Sequence, residues 1–257
     1  TDSTRKSAFF PMQADIYMNL KLNKDAGIFS KIGVKGSDAI NMEYWALIRN
    51  LPMKSWLRLG RTLPNYGLRV DDHTSFIRGG NLGKTSVGLD KEGLLFTPHL
   101  SPPAILELGI PISPKLEWTS SLNTSLIIEN NTNEEMNNFT TKFTHRASLG
   151  NNIQYRESIS YMNEDNFNMV GISGGASYGN FTWTFALDQA ENWIDNNTSL
   201  AFYDEFAWEI IQGMQLIGKY DFFDPNKDLK DGAISRYTIG AEVYPLNIME
   251  IKLQVRI

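Results

Sequence analysis

Cysteine is absent from the 257 residues, which removes disulfides, thiol catalysis and zinc–thiolate sites together. Histidine is nearly absent as well, with three in the chain at positions 73, 99 and 145 and no metal-ligand spacing among them. No run of about eighteen apolar residues is present, so no membrane-spanning helix is encoded. A positively charged start leading into an apolar stretch is missing too, and "TDSTRKSAFF" reads as a mature or truncated start. Basic residues do not dominate: 24 Lys and Arg stand against 29 Asp and Glu, so no global field draws in nucleic acid. Hardly any stretch carries helical periodicity.

What the chain does have is alternation with period two. Ala14, Ile16, Met18, Leu20 and Leu22 interleave with Gln13, Asp15, Tyr17, Asn19 and Lys21, giving one apolar and one polar face. Ile40, Met42, Tyr44, Ala46 and Ile48 oppose Asn41, Glu43 and Arg49, although Trp45 and Leu47 blur the polar face. Phe181, Trp183, Phe185 and Leu187 oppose Thr182, Thr184, Ala186 and Asp188, and Met249, Ile251, Leu253, Val255 and Ile257 oppose Glu250, Lys252, Gln254 and Arg256. Similar segments lie near 26–35, 53–62, 104–110, 115–123, 138–149, 153–162, 168–178, 200–210, 213–223 and 235–244. Clusters such as Asn23-Lys24-Asp25, Gly150-Asn151-Asn152 and Asp224-Pro225-Asn226 supply the bends between them.

Strand and turn together repeat every roughly sixteen to twenty residues, where soluble sandwiches repeat about every eight to twelve. Strands of about ten residues are the length that crosses a bilayer at a tilt. A spanning strand shows lipid only every second residue, so a mean hydropathy of −0.29 is compatible with membrane residence. Tyr155, Tyr161, Trp183, Phe202, Trp208, Tyr220, Phe222, Tyr237 and Tyr244 tend towards strand ends, as interfacial girdles do. Backbone groups in hydrocarbon need protein partners, so a spanning sheet has to close on itself. The expected fold is all-β: a single transmembrane antiparallel β-barrel over residues 1–257, with about fourteen strands and a range of twelve to sixteen.

"GGNLGKTS" at 79–86 looks like a phosphate-gripping loop, but the glycine that the pattern requires five residues earlier is Arg78, and no apolar helical stripe follows. The surrounding stretch from Pro64 to Pro103 is the longest without alternation, and within it Arg69, Asp71, Asp72, His73 and Arg78 crowd between glycines. One reading is a segment at about 64–85 directed into the lumen, whose charges, with Lys84 as an anion contact at most, form a constriction. The other is a surface loop knitted by Arg–Asp pairs. A metal or acid–base site at His73 lacks further ligands, and no nucleophile motif is present, so the expectation is no enzyme and no cofactor. On the polar faces, Asp15, Lys21, Glu43, Arg58, Arg146, Arg156, Asp188, Lys252 and Arg256 are the expected lumen-lining residues.

The last forty residues, "GKYDFFDPNKDLKDGAISRYTIGAEVYPLNIMEIKLQVRI", and "LRLGRTLPNYGLR" upstream resemble the phosphate-selective porin family. The resemblance implies an outer-membrane porin with a water-filled pore, in contact with outer-membrane lipid and passing small hydrophilic solutes or ions in a Gram-negative bacterium. Anion-selective members carry a ladder of lumen arginines, whereas here Arg58, Arg146, Arg156 and Arg256 are mixed with Asp15, Glu43, Asp188 and Glu250, which does not support phosphate selectivity. An alternative of another class is a barrel that scaffolds a periplasmic or extracellular protein partner, as in a porin–cytochrome electron conduit, with residues 68–84 as the docking surface. A homo-oligomer is a further partner class that the resemblance implies.

Overall fold

The computed structural model describes residues 14–35, 38–68, 75–78, 102–124, 138–150, 152–164, 167–193, 196–246 and 249–257. The strands are β1 (Ala14–Lys21), β2 (Ala26–Lys35), β3 (Asp38–Ile48), β4 (Trp56–Arg61), β5 (Ala104–Pro111), β6 (Leu116–Asn123) and β7 (Asn138–Leu149). They continue as β8 (Ile153–Glu164), β9 (Phe167–Tyr178), β10 (Phe181–Glu191), β11 (Thr198–Ile211), β12 (Met214–Asp224), β13 (Ile234–Leu246) and β14 (Met249–Arg256). All belong to one 14-stranded sheet in chain order, each antiparallel to the next, and the described pairings leave β1 and β14 as its two ends. No described helix is long and apolar enough to cross a membrane.

The pleat converts period-two sequence into two unlike faces. On one face the apolar side chains are exposed: Ile159 57%, Phe206 57%, Ile239 73% and Val255 67%. On the other the polar ones are buried, among them Glu107, Lys142, Ser160, Asp188 and Asp221. Water-soluble folds sort the other way, so an aqueous exterior does not account for this distribution. The aromatic side chains expected to gird the barrel stand on the apolar face and run as a band over β10–β13, in which Trp183 stacks with Phe185 and Phe206, and Phe181 with Trp208. Tyr220 and Tyr237 carry the band to mid-strand, with ring centroids 4.9 Å apart. Tyr244 is a correction to the expected girdle: it shares the inward phase of Glu242 two positions before it, and its hydroxyl donates to Glu242 Oε2 at 3.0 Å.

Polar groups on the apolar face are held by neighbours. Asp204 accepts the indole N–H of Trp183 at 2.6 Å, and His145 Nδ1 lies 2.9 Å from Glu157 Oε1 across β7 and β8. Such partnering lowers the cost of a polar group facing lipid. A second correction concerns the segment at 53–62. Pro52–Lys54 forms a 3-10 turn with Met53 at φ 63° and Lys54 at φ 59°, which lie outside extended space, so β4 begins only at Trp56.

The connections differ between the two ends of the sheet. After odd-numbered strands they are mostly short, for example Gly179-Asn180 between β9 and β10, where Gly179 takes φ 56°. After β4, the chain from Thr62 to Pro103 separates it from β5, and the described parts of that connection lie against the polar face.

Candidate functional site

The polar face is the inside of a curved wall, because a single connecting segment touches strands far apart in the sheet. Thr62 Oγ1 donates to Glu43 on β3 at 2.9 Å, and the Asn65 backbone N–H donates to Glu107 on β5 at 2.9 Å. Lys142 on β7 donates to the Gly67 carbonyl, while the Gly67 N–H donates to Ser160 on β8 at 2.9 Å. Tyr66 Oη donates to Asp188 on β10 at 3.1 Å, and Ser75 Oγ donates to Asp221 on β12 at 2.6 Å. A flat sheet with strands about 4.8 Å apart would hold β5 and β10 about 24 Å from each other, too far for the adjacent residues Asn65 and Tyr66 to reach both.

This inner segment is fastened by an apolar cluster of the kind found in soluble cores. Tyr66, Phe76 and Ile77 pack against Met162, Met169 and Phe223, with Leu63 and Leu68 at the edge. Phe76 lies 6.3 Å from Phe223, and the Arg236 guanidinium stands 4.4 Å above its ring. Small wall residues make the room: a Cβ on Gly171 would sit 2.0 Å from Asp188 Oδ1 and 2.6 Å from Tyr66 Oη.

Charges on the inner wall are largely compensated. Arg236 pairs with Asp221 at 3.1 Å, Lys219 with Glu205 at 3.0 Å, Lys252 with Glu242 at 3.4 Å and Arg146 with Glu117 at 3.6 Å. Arg58 Nη2 lies 2.9 Å from Glu107 Oε1, with side-chain exposures of 14% and 1%. Breaking such a buried pair from one side strands a charge, so Arg58→Met is expected to destabilise the barrel by about 3–5 kcal/mol. Adding Glu107→Gln should restore much of that loss in urea titrations of vesicle-folded protein.

Towards the short-turn end the lumen widens into a cavity of about 830 Å³, lined by Asn65, Lys115, Arg146, Arg156, Ser173 and Thr184 among others. Arg146 and Arg156 are direct cross-strand partners on β7 and β8. With Lys115 beside them and Glu117 the nearby carboxylate, these two guanidiniums leave this wall electropositive. A second cavity of about 450 Å³ opens on the β3–β5 side and includes Trp45, Trp56, Arg58 and Glu107, with Asn65 shared between the two.

Of the residues expected from sequence, Arg58, Arg146, Arg156 and Asp188 line this interior, and Glu43 holds Thr62. Lys21 is exposed beside a further cavity at the β1–β2 turn, and Lys252 and Arg256 are exposed on β14. Arg69, Asp71, Asp72, His73 and Lys84 lie outside the described residues, as do the side chains of Asp15 and Arg78. Glu107, Lys142, Glu205, Lys219, Asp221 and Arg236 were not among the expected lining residues. Each occupies the polar phase of its strand, so the same alternation could have located them.

No family model and no curated protein matches the sequence. Solved structures do match. OmpF of Salmonella typhi, in complex with daunomycin, has a TM-score of 0.59 at 10% identity, over 95% of this chain and 81% of that one. The outer-membrane channel DcaP of Acinetobacter baumannii has a TM-score of 0.57 at 12% identity, over 95% and 77%. A porin refined at 1.8 Å gives 0.54 at 10% identity, over 95% and 86%. Likeness at this identity concerns the fold: the antiparallel sheet is a porin-type β-barrel.

Proposed function

We propose that this protein is a channel of the bacterial outer membrane through which small hydrophilic solutes or ions diffuse. The observation that carries the reading is the inverted sorting of side chains, with an apolar, aromatic-banded exterior around a polar interior that keeps open cavities. Lipid covers the first and water fills the second. The likeness to solved porins supports the same reading, and so does the resemblance of the sequence to phosphate-selective porins. The segment at about 64–85 acts as the constriction, a reading supported by the bonds from Asn65 to β5, from Tyr66 to β10 and from Ser75 to β12.

Selectivity follows from what the ion pairs leave over. Arg146 is partly neutralised by Glu117, while Arg156 and Lys115 add positive charge to the wide half of the lumen. This favours anions in general without the arginine ladder of a phosphate-specific pore. Purified protein in planar bilayers should give stepwise conductance, and a salt gradient should give a reversal potential on the anion side. Arg156→Glu should move that potential towards the cation side. A protein that inserts and conducts nothing would overturn the channel reading.

A further inference from the structure

The cavity on the β3–β5 side has a chemistry that free diffusion of small ions does not require. Cross-strand register puts Leu47 opposite Arg58 and Trp45 opposite Gly60, and Arg58 in turn opposite Glu107 and Trp56 opposite Gly109. These residues therefore share the inner face with Glu107, which the lumen segment contacts. Tryptophan on the inner wall of a water-filled barrel leaves apolar surface wet, a cost that needs a compensating use. Trp56 is laid flat rather than packed away. A Cβ on Gly109 would stand 2.1 Å from Trp56 Cε2 and 2.4 Å from its Nε1, so the indole lies directly on the glycine backbone, and Trp56 still lines the cavity.

Around this platform stand Leu47 and Trp45 as apolar flanks and Arg49 and Lys54 as exposed cations. The buried carboxylate and one amide oxygen are already engaged. Glu107 pairs with Arg58 and accepts the Asn65 N–H, and Asn65 Oδ1 accepts from Lys142 at 3.4 Å. A neutral sugar needs donors and acceptors in balance around a ring, whereas this niche offers an aromatic face and positive charge. We propose that the Trp56 niche is a binding subsite for a flat organic anion, a carboxylate carried on an aromatic ring. The ring lies against Trp56 and the carboxylate reaches Arg49 and Lys54. The inference deepens the channel reading by adding a solute class that pauses in the lumen on its way through.

Benzoate is the probe, with acetate as charge without a ring and glucose as ring without charge. Binding to the full-length barrel in detergent is measured by isothermal titration, and passage by benzoate-dependent interruptions of single-channel current. Benzoate should bind at least about tenfold more tightly than acetate, and Trp56→Ala should weaken it about tenfold, the scale of one lost aromatic contact with a charged partner. Arg49→Gln with Lys54→Gln, at exposed positions that leave folding intact, should weaken benzoate similarly. Gly109→Ala should reduce affinity by tilting the indole. The proposal is overturned if acetate binds as well as benzoate, if glucose competes with benzoate, or if the Trp56 and Arg49–Lys54 variants bind benzoate unchanged. Conductance without benzoate binding removes the niche alone. Benzoate binding to a barrel that does not conduct removes the channel reading alone.

Discussion

Replacing Ile159 by lysine should cost about 2–4 kcal/mol of folding stability in a bilayer, the range for a cation on the lipid face near the midplane. Ile159 is 57% exposed at mid-strand on β8, and its cross-strand partners, Phe143 on β7 and Ile172 on β9, are exposed as well. In water such a change would be neutral or would improve solubility, since it puts a charge in place of exposed hydrocarbon. Gln154→Lys is the matched control, because Gln154 lines the wide cavity and its added charge stays hydrated. Urea titration of both variants folded into lipid vesicles separates the cases. Equal stability of the two, or solubility of the Ile159 variant's parent without surfactant, would contradict a membrane exterior.

Phe76→Ala should release the lumen segment without opening the barrel. Phe76 is 1% exposed, packs on Phe223 and carries Arg236 over its face. Truncating a buried phenylalanine typically costs about 3–5 kcal/mol. Here that cost falls on the docking of one segment, because the ladder from β1 to β14 is hydrogen-bonded independently of it. The expected result is a larger and noisier single-channel conductance, with heat-modifiable migration in detergent gels retained. An unchanged conductance would show that the segment does not limit the ion path.

Much of the architecture was legible because a strand fixes the side of each residue by parity alone. Ile16 and Met18 against Tyr17 and Asn19, or Phe185 and Leu187 against Ala186 and Asp188, needed no tertiary information to be sorted into two faces. The same parity places Glu107 and Lys142 inside. Parity does not say which polar face carries a working group, so these two were passed over in favour of more conspicuous arginines. It failed at Met53 and Lys54, whose positive φ ends the strand pattern, and it was not followed at Tyr244, which shares the inward phase of Glu242.

Alternation alone was enough for a strand count near fourteen, for the antiparallel meander and for the exchange of apolar exterior for polar interior, since each depends on neighbours one or two positions apart. What the interior holds depends on contacts between distant strands. Tyr66 meets Asp188 across 122 positions and Ser75 meets Asp221 across 146, and no local pattern encodes such a meeting. The division of the lumen between an apolar anchor, an electropositive wall and a tryptophan niche likewise depends on how far the sheet curls before its inner faces confront one another. Curvature is a sum of small twists over the whole ladder, and it is not written in any one strand.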